Sequence, residues 1–254
     1  MPTVQLKHAK LFYEKIGSGE SILFIHPPGL GRLVFQYQTE LAKHFQLIMP
    51  DLSGHGESIS KLNGESSIVV QYVEEIKHII EAEHLETIIL CAYSAGGVIA
   101  QAFTLKYPNL VKALIISGAY PKIDTLGLEW MYRIGEGVVI KDPKKLAEIL
   151  AYSNANNESD EEKLYKHILK TDPAIWLRFY LDTQHYNQVD QISSIQCPTL
   201  LVYGERAYWI HHHKLFYQQK ANMQIAFVDD AFHQVPSKNF LAFNHLVKQF
   251  VKSI

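Results

Sequence analysis

The sequence predicts an α/β protein built on a doubly wound, mostly parallel sheet with an inserted helical cap. Three observations carry this. Short apolar runs rich in Ile, Val, Leu and Phe recur along the chain, as expected of strands buried on both faces. Between several of them, apolar residues repeat at helical spacing. One stretch, about residues 121–190, holds helix-like pieces with no strand-like run between them. Alternating strands and helices argue for a parallel sheet covered on both sides.

The elements follow in order. "VQLKHAKLFYEKIG" and "ESILFIHP" open the chain, and Gly17 with Gly19 leaves room only for a turn, so these two are expected to pair as an antiparallel start. "FQLIMPDL", "TIILCAYS", "KALIISGA", "PTLLVYGE" and "MQIAFVDDAFH" are the further strand candidates. "SIVVQYVEEIKHIIEAEHL" places Val69, Val73, Ile76 and Ile80 on one helical face, and "FLAFNHLVKQFVKSI" closes the chain as a helix. Within 121–190, "TLGLEWMYRIGEGVV", "DPKKLAEILAYS", "SDEEKLYKHILK" and "DPAIWLRFYLDTQHY" read as four helices, two of them started by Asp-Pro. The expected organisation is one domain over 1–254 with the cap at 121–190 inserted in it.

A chain of 254 residues can bury a core of that size. Lys and Arg number 24 against 26 Asp and Glu, a net charge of −2, which offers nothing to nucleic acid or an anionic membrane. The start, "MPTVQLKHAKLFYEK", has no basic segment followed by an apolar run, and no stretch reaches the roughly 18 apolar residues of a membrane span. A cytoplasmic protein, monomer or homodimer, is the expectation. Cys91 and Cys197 lie in or beside strand-like runs and read as reduced packing residues.

The chemistry centres on "LCAYSAGGVIAQ", residues 90–101. A strand runs into Ser94 and straight on into a helical pattern that Pro108 ends. A serine on so sharp a turn needs small neighbours, which Ala92, Ala95, Gly96 and Gly97 supply. The turn lifts the hydroxyl above the sheet, with the Ala95 amide and the helix N-terminus facing any negative charge that develops beside it.

With these residues the sequence resembles the α/β-hydrolase superfamily over nearly its whole length. "AYSAGG" is similar to the nucleophile elbow G-x-S-x-G, with Ala92 for the first glycine. "DLSGHGES" resembles the D-x-x-G-H-G-x-S loop, "IHPPGLG" the oxyanion loop, "IQCPTLLVYGE" the strand before the catalytic acid, and "DDAFHQVP" the loop presenting the catalytic histidine. The resemblance implies a serine hydrolase. Ser94 attacks a carbonyl carbon, His233 takes and returns the proton, and the Ala95 amide holds the oxyanion. The implied substrate is a small, mostly apolar ester, thioester or lactone, and no cofactor is needed.

Two positions depart from the family. Ala207 stands where the acid is expected, a residue whose loss in serine proteases costs about four orders of magnitude in turnover. Glu205 in the same loop is the first substitute; Asp124, Asp229 and Asp230 are the others. Pro28, two residues after His26 in the oxyanion loop, has no N–H, so Gly29 is the candidate donor after a one-residue shift. Losing one oxyanion donor costs on the order of 100- to 1000-fold. The departures leave a second expectation open, a ligand-binding or signalling protein on the same fold, and a third, lyase or carbon–carbon bond chemistry at the same elbow.

Other features are read as structural. His211, His212 and His213 are adjacent, so they point in different directions and do not converge on a metal. Asp51 and His55 belong to a glycine-rich turn. Trp130, Tyr132, Trp176, Phe179 and Tyr180 are candidates for the lining of an apolar acyl pocket.

Overall fold

The computed structural model describes residues 2–60, 67–218, 220 and 222–254. Its nine strands are β1 (Thr3–Gln5), β2 (Ala9–Ile16), β3 (Ser21–Ile25), β4 (Gln46–Pro50), β5 (Ile59–Ser60), β6 (Ile88–Tyr93), β7 (Val111–Ser117), β8 (Thr199–Gly204) and β9 (Met223–Val228). They form one sheet in the order β1-β2-β4-β3-β6-β7-β8-β9, with β5 on β2. From β4 onward every pair is parallel; β2 is antiparallel to β1, β4 and β5.

The opening differs from the expected hairpin. β2 pairs with β4, Tyr13 opposite Pro50 and Ile16 opposite Leu47, and β4 separates it from β3. Neighbouring strands lie about 4.8 Å apart, so skipping one means crossing about 10 Å. The four residues 17–20 reach that far at roughly 3.5 Å each, so a short glycine turn does not by itself force its flanking strands together. β9 also departs from a strand buried on both faces. It lies at the sheet edge, and of its residues only Val228 is buried.

The helices are α1 (Ile68–Ala82), α2 (Gly96–Lys106), α3 (Leu126–Lys141), α4 (Pro143–Asn154), α5 (Glu158–Ile168), α6 (Pro173–His185), α7 (Tyr208–His211), α8 (Val235–Lys238) and α9 (Phe240–Lys252), besides a 3-10 segment at Arg32–Lys43. Strand periodicity sorts the core into two clusters. Leu23, Ile25, Leu90 and Ala92 join Val73, Ile76 and Ile80 of α1 in one. Ile22, Phe24, Ile89 and Cys91 join Phe243, Val247 and Phe250 of α9 in the other. Alternate residues thus serve opposite faces, the packing a doubly wound sheet requires. Each fully buried Ile or Leu contributes about 1.5–3 kcal/mol.

Four helices, α3 to α6, lie between β7 and β8. Their starts follow local chemistry: Asp142 and Asp172 cap α4 and α6 ahead of Pro143 and Pro173, and Asn157 caps α5. The chain leaves β3 on one side for β4 and returns on the other for β6. The carboxyl ends of β3 and β6 therefore flank a topological switch point, where open α/β sheets place their ligands. Among the described residues no helix is long and apolar enough to cross a membrane.

Candidate active site

Both loops at that switch point hold singled-out residues. Ser94 follows β6 at φ 53°, the left-handed region that costs a non-glycine residue of order 1–3 kcal/mol. The strain is held by packing. The Ser94 amide donates to the Ser117 carbonyl at 2.8 Å, and the Gly97 amide to the Ser94 carbonyl at 2.8 Å. A β-carbon on Gly96 would lie 2.4 Å from the Ile25 carbonyl oxygen, and one on Gly97 2.5 Å from the Ile116 side chain. The small residues after Ser94 thus let α2 start directly against β3 and β7.

His233 follows β9, and its Nε2 lies 2.8 Å from the Ser94 hydroxyl. The imidazole is enclosed by Trp209 of α7 and Tyr93, with ring centroids 4.9 and 5.3 Å away. Burial alone pushes its pKa down to about 4, so it is neutral at pH 7. Nδ1 is buried with no hydrogen-bond partner among the described residues.

None of the substitute acids meets that nitrogen. The Glu205 side chain is turned to the 229–230 turn, where Oε2 accepts from the Asp230 amide at 3.1 Å, and it does not bond His233 Nδ1. Asp230 is paired with Arg206, Asp124 with Lys122 at 2.8 Å, and Asp229 is exposed. Chain order brings all four near the loop, but side-chain direction decides contact. The expected Glu205–His233 pair is absent because Glu205 caps its neighbouring turn instead. Ala207 is fully buried at the start of α7.

A cavity of about 100 Å³ opens on Ser94 and His233. Pro28, Leu30 and Ala95 line it from the sheet side; Leu128, Met131, Tyr132, Leu150 and Tyr180 line it from the inserted helices. Pro28 brings no N–H. Gly29, at φ 83°, packs against the Trp176 ring, which a β-carbon would approach to 2.3 Å, and its carbonyl accepts from the Thr171 hydroxyl at 3.1 Å. Of the aromatic candidates, Tyr132 and Tyr180 line the cavity, and Trp176 and Phe179 are buried in the core. Trp130 is 67% exposed and is not part of the cavity's lining.

Two groups were not legible as site residues. Tyr120, three residues past β7, is buried with its hydroxyl 2.6 Å from that of Tyr132, which lines the cavity. Gly118, at φ 67°, lies so close to His233 that a β-carbon would sit 2.4 Å from the ring. Their only signal was position after "KALIIS". Behind the site, His167 of α5 joins Asp51 at 3.0 Å and Glu57 at 3.5 Å. These three are the one group of metal-ligand type found among the described residues, but Arg32 bonds both carboxylates, which makes the group an ion-pair network. His211 bonds the Gly204 carbonyl and His213 the Ile210 carbonyl.

Sheet order, strained elbow serine and facing histidine define an α/β-hydrolase. Residues 34–237 match the family described as serine aminopeptidase S33, and the chain belongs to it. A putative 2-succinyl-6-hydroxy-2,4-cyclohexadiene-1-carboxylate synthase of Bacillus subtilis is 24% identical, covering 93% of this chain and 92% of its own. Two solved structures share the fold. The thermophilic esterase from Thermogutta terrifontis has a TM-score of 0.82 at 22% identity, covering 100% of this chain and 99% of its own. The enol-lactonase from Burkholderia xenovorans LB400 has 0.84 at 15%, covering 99% and 100%.

Proposed function

We propose that this protein is a serine hydrolase that cleaves a small, uncharged, mostly apolar ester, thioester or lactone through an acyl-enzyme on Ser94. The observation that carries the reading is the 2.8 Å contact between His233 Nε2 and the strained Ser94 hydroxyl, set at the floor of a cavity lined mainly by apolar side chains. Ser94 is the nucleophile and His233 the general base and acid. The Ala95 amide, at the start of α2, stabilises the oxyanion.

Cavity chemistry selects among the activities of the similar proteins. None of its described lining residues carries a charge at pH 7. A carboxylate such as the one named for the Bacillus relative finds no cation there, and leaving a charge unpaired in such a site is costly. The named activities of the esterase and the lactonase fit the lining better. The test is incubation with a fluorophosphonate followed by intact mass, with Ser94→Ala as control, and then hydrolysis of short acyl esters. One adduct per chain, absent from the control, is expected; folded protein that takes no adduct rejects the reading.

One observation favours a second reading, a binding protein with little turnover. Among the described residues His233 Nδ1 has no partner, so the imidazole lacks there the carboxylate that orients it in a triad. Saturable binding of an ester with neither hydrolysis nor adduct would select this alternative.

A further inference from the structure

A second opening lies away from Ser94. A groove of about 220 Å³ is lined by Val70 and Val73 of α1, Ala102 and Leu105 of α2, and Tyr186 and Gln188 of the segment after α6. It shares no lining residue with the cavity over Ser94. Val73 and Ala102 are buried and Val70 is 44% exposed, so the groove has an apolar floor and an open rim. Lys106, the charged residue of its lining, is paired with Glu74 at 2.6 Å.

Gln188 is 2% exposed, and its side chain is fixed. Nε2 donates to the Val98 carbonyl at 3.1 Å; the reversed amide would set two acceptors against each other, so the carbonyl of Val98 decides its orientation. The Gln188 backbone amide donates to the Pro121 carbonyl at 3.0 Å, and its backbone carbonyl accepts from the Gln191 amide at 2.9 Å. Oε1 remains, buried and without a hydrogen-bond partner among the described residues. No other described side chain of the lining carries such an atom. A buried acceptor that has lost its water and gained no donor is destabilising. A molecule seated in the groove lies against Gln188 and can supply that donor.

We propose that this groove is a binding site for a small, uncharged molecule with an apolar body and one O–H or N–H donor, such as a cyclic alcohol, the donor meeting Gln188 Oε1. Size, charge and polarity each follow from the lining. An apolar cavity of about 150 Å³ holds benzene, so about 220 Å³ suits one ring with a single polar substituent. With Lys106 already paired, nothing in the lining balances a charge, and an unpaired charge is costly to bury. The donor belongs to the ligand because a carboxamide oxygen only accepts. The occupant sits at a junction of the fold. Pro121 follows β7 and Gln188 follows α6, so their bond joins the two ends of the helical insertion, and the bond to Val98 reaches α2, the helix that starts at the Ser94 elbow. The site does not depend on Ser94 reacting.

The experiment titrates cyclohexanol into protein carrying ¹³C-labelled Ala, Val, Leu and Met methyls and follows them by NMR. Val70, Val73, Ala102 and Leu105 report the groove; Leu128, Met131 and Leu150 report the Ser94 cavity. Saturable shifts are expected at the groove methyls. Methoxycyclohexane keeps the ring and the oxygen but has no donor, and is expected to bind at least tenfold more weakly, the worth of about one hydrogen bond. Gln188→Met removes the acceptor. Val70→Trp fills the groove from its exposed rim and leaves the Gln188 bonds in place. Each variant is expected to bind cyclohexanol at least tenfold more weakly than the wild type. Shifts confined to the cavity methyls or absent from both sets, an ether that binds as well as the alcohol, or wild-type affinity in either folded variant overturns the site. If Gln188→Met does not fold, Val70→Trp and the ether decide.

Discussion

His233 meets Ser94 through Nε2 at 2.8 Å, while its buried Nδ1 has no hydrogen-bond partner among the described residues. The imidazole is enclosed by the Trp209 and Tyr93 rings, with no carboxylate bonded to Nδ1 among the described residues. Supplying the carboxylate is a direct test of what that arrangement lacks. Ala207 is buried at the start of α7, one residue before Tyr208 and two before Trp209, whose ring lies tilted against His233 with centroids 4.9 Å apart. In Ala207→Asp the new carboxylate is expected to accept from Nδ1–H, to raise the His233 pKa and to speed fluorophosphonate labelling of Ser94 by roughly 100-fold or more. Unchanged labelling in a folded variant would show that the bare Nδ1 is not what limits the serine.

The pH profile follows from the same burial. A general base works in its neutral form, and burial holds the His233 pKa down at about 4. Labelling of wild-type Ser94 should stay level through neutral pH and fall only as the pH passes about 4. An acid limb near the ordinary histidine value of about 6.5 would mean that the ring is solvated. Ala207→Asp should move the limb upward, because a paired carboxylate favours the imidazolium.

Two kinds of buried histidine make stability fall at both ends of the pH range. Burial pushes the His26 pKa down to about 4 and that of His55 well below its usual value. A depressed pKa contributes stability that is present above the unfolded value, about 6.5, and is lost as pH falls through the folded one. For His26 the shift from 6.5 to about 4 corresponds to ~3 kcal/mol. His167 has the opposite sign. Its burial would lower the pKa, but hydrogen bonds to Asp51 and Glu57 outweigh that and raise it. Its contribution is complete below about 6.5 and is lost as pH rises through the raised value. His167→Gln should therefore cost more stability at pH 6 than at pH 9, about 3 kcal/mol at the lower pH, as read from urea midpoints. An equal loss at both values would mean that His167 is neutral in the folded protein.

Sheet, helices and elbow could be read from the chain because each rests on local pattern. Ser94 announced itself by small neighbours on both sides of a strand-to-helix junction, and the structure gives their reason in the approach of Gly96 to Ile25. Sheet order was less accessible. β2 and β3 are joined by a short turn yet sit either side of β4, since partner choice depends on residues far along the chain. The second sphere of the site was least accessible. Glu205 stands in the right loop, but its carboxylate caps the Asp230 amide, and Gly118 lies against the His233 ring although the two are far apart in sequence. Side-chain direction at the ends of neighbouring strands is a tertiary property that spacing does not encode.

Gly118 offers a test of how tightly the dyad is set. It follows β7 at φ 67° with its amide bonded to the Val202 carbonyl at 2.8 Å, so the backbone is pinned and its neighbour must yield to any added atom. A β-carbon would stand 2.4 Å from His233 Cε1 and 2.8 Å from Nδ1, inside van der Waals contact. The ring is walled by Trp209 and Tyr93, so it cannot shift freely and must rotate away from Ser94. Gly118→Ala should cost about 1–2 kcal/mol of stability through the left-handed backbone and slow Ser94 labelling on the order of 100-fold, since misplacement by about 1 Å has that effect on a reacting pair. A variant as stable as expected but labelled at the wild-type rate would mean that the 2.8 Å contact does not govern the serine's reactivity.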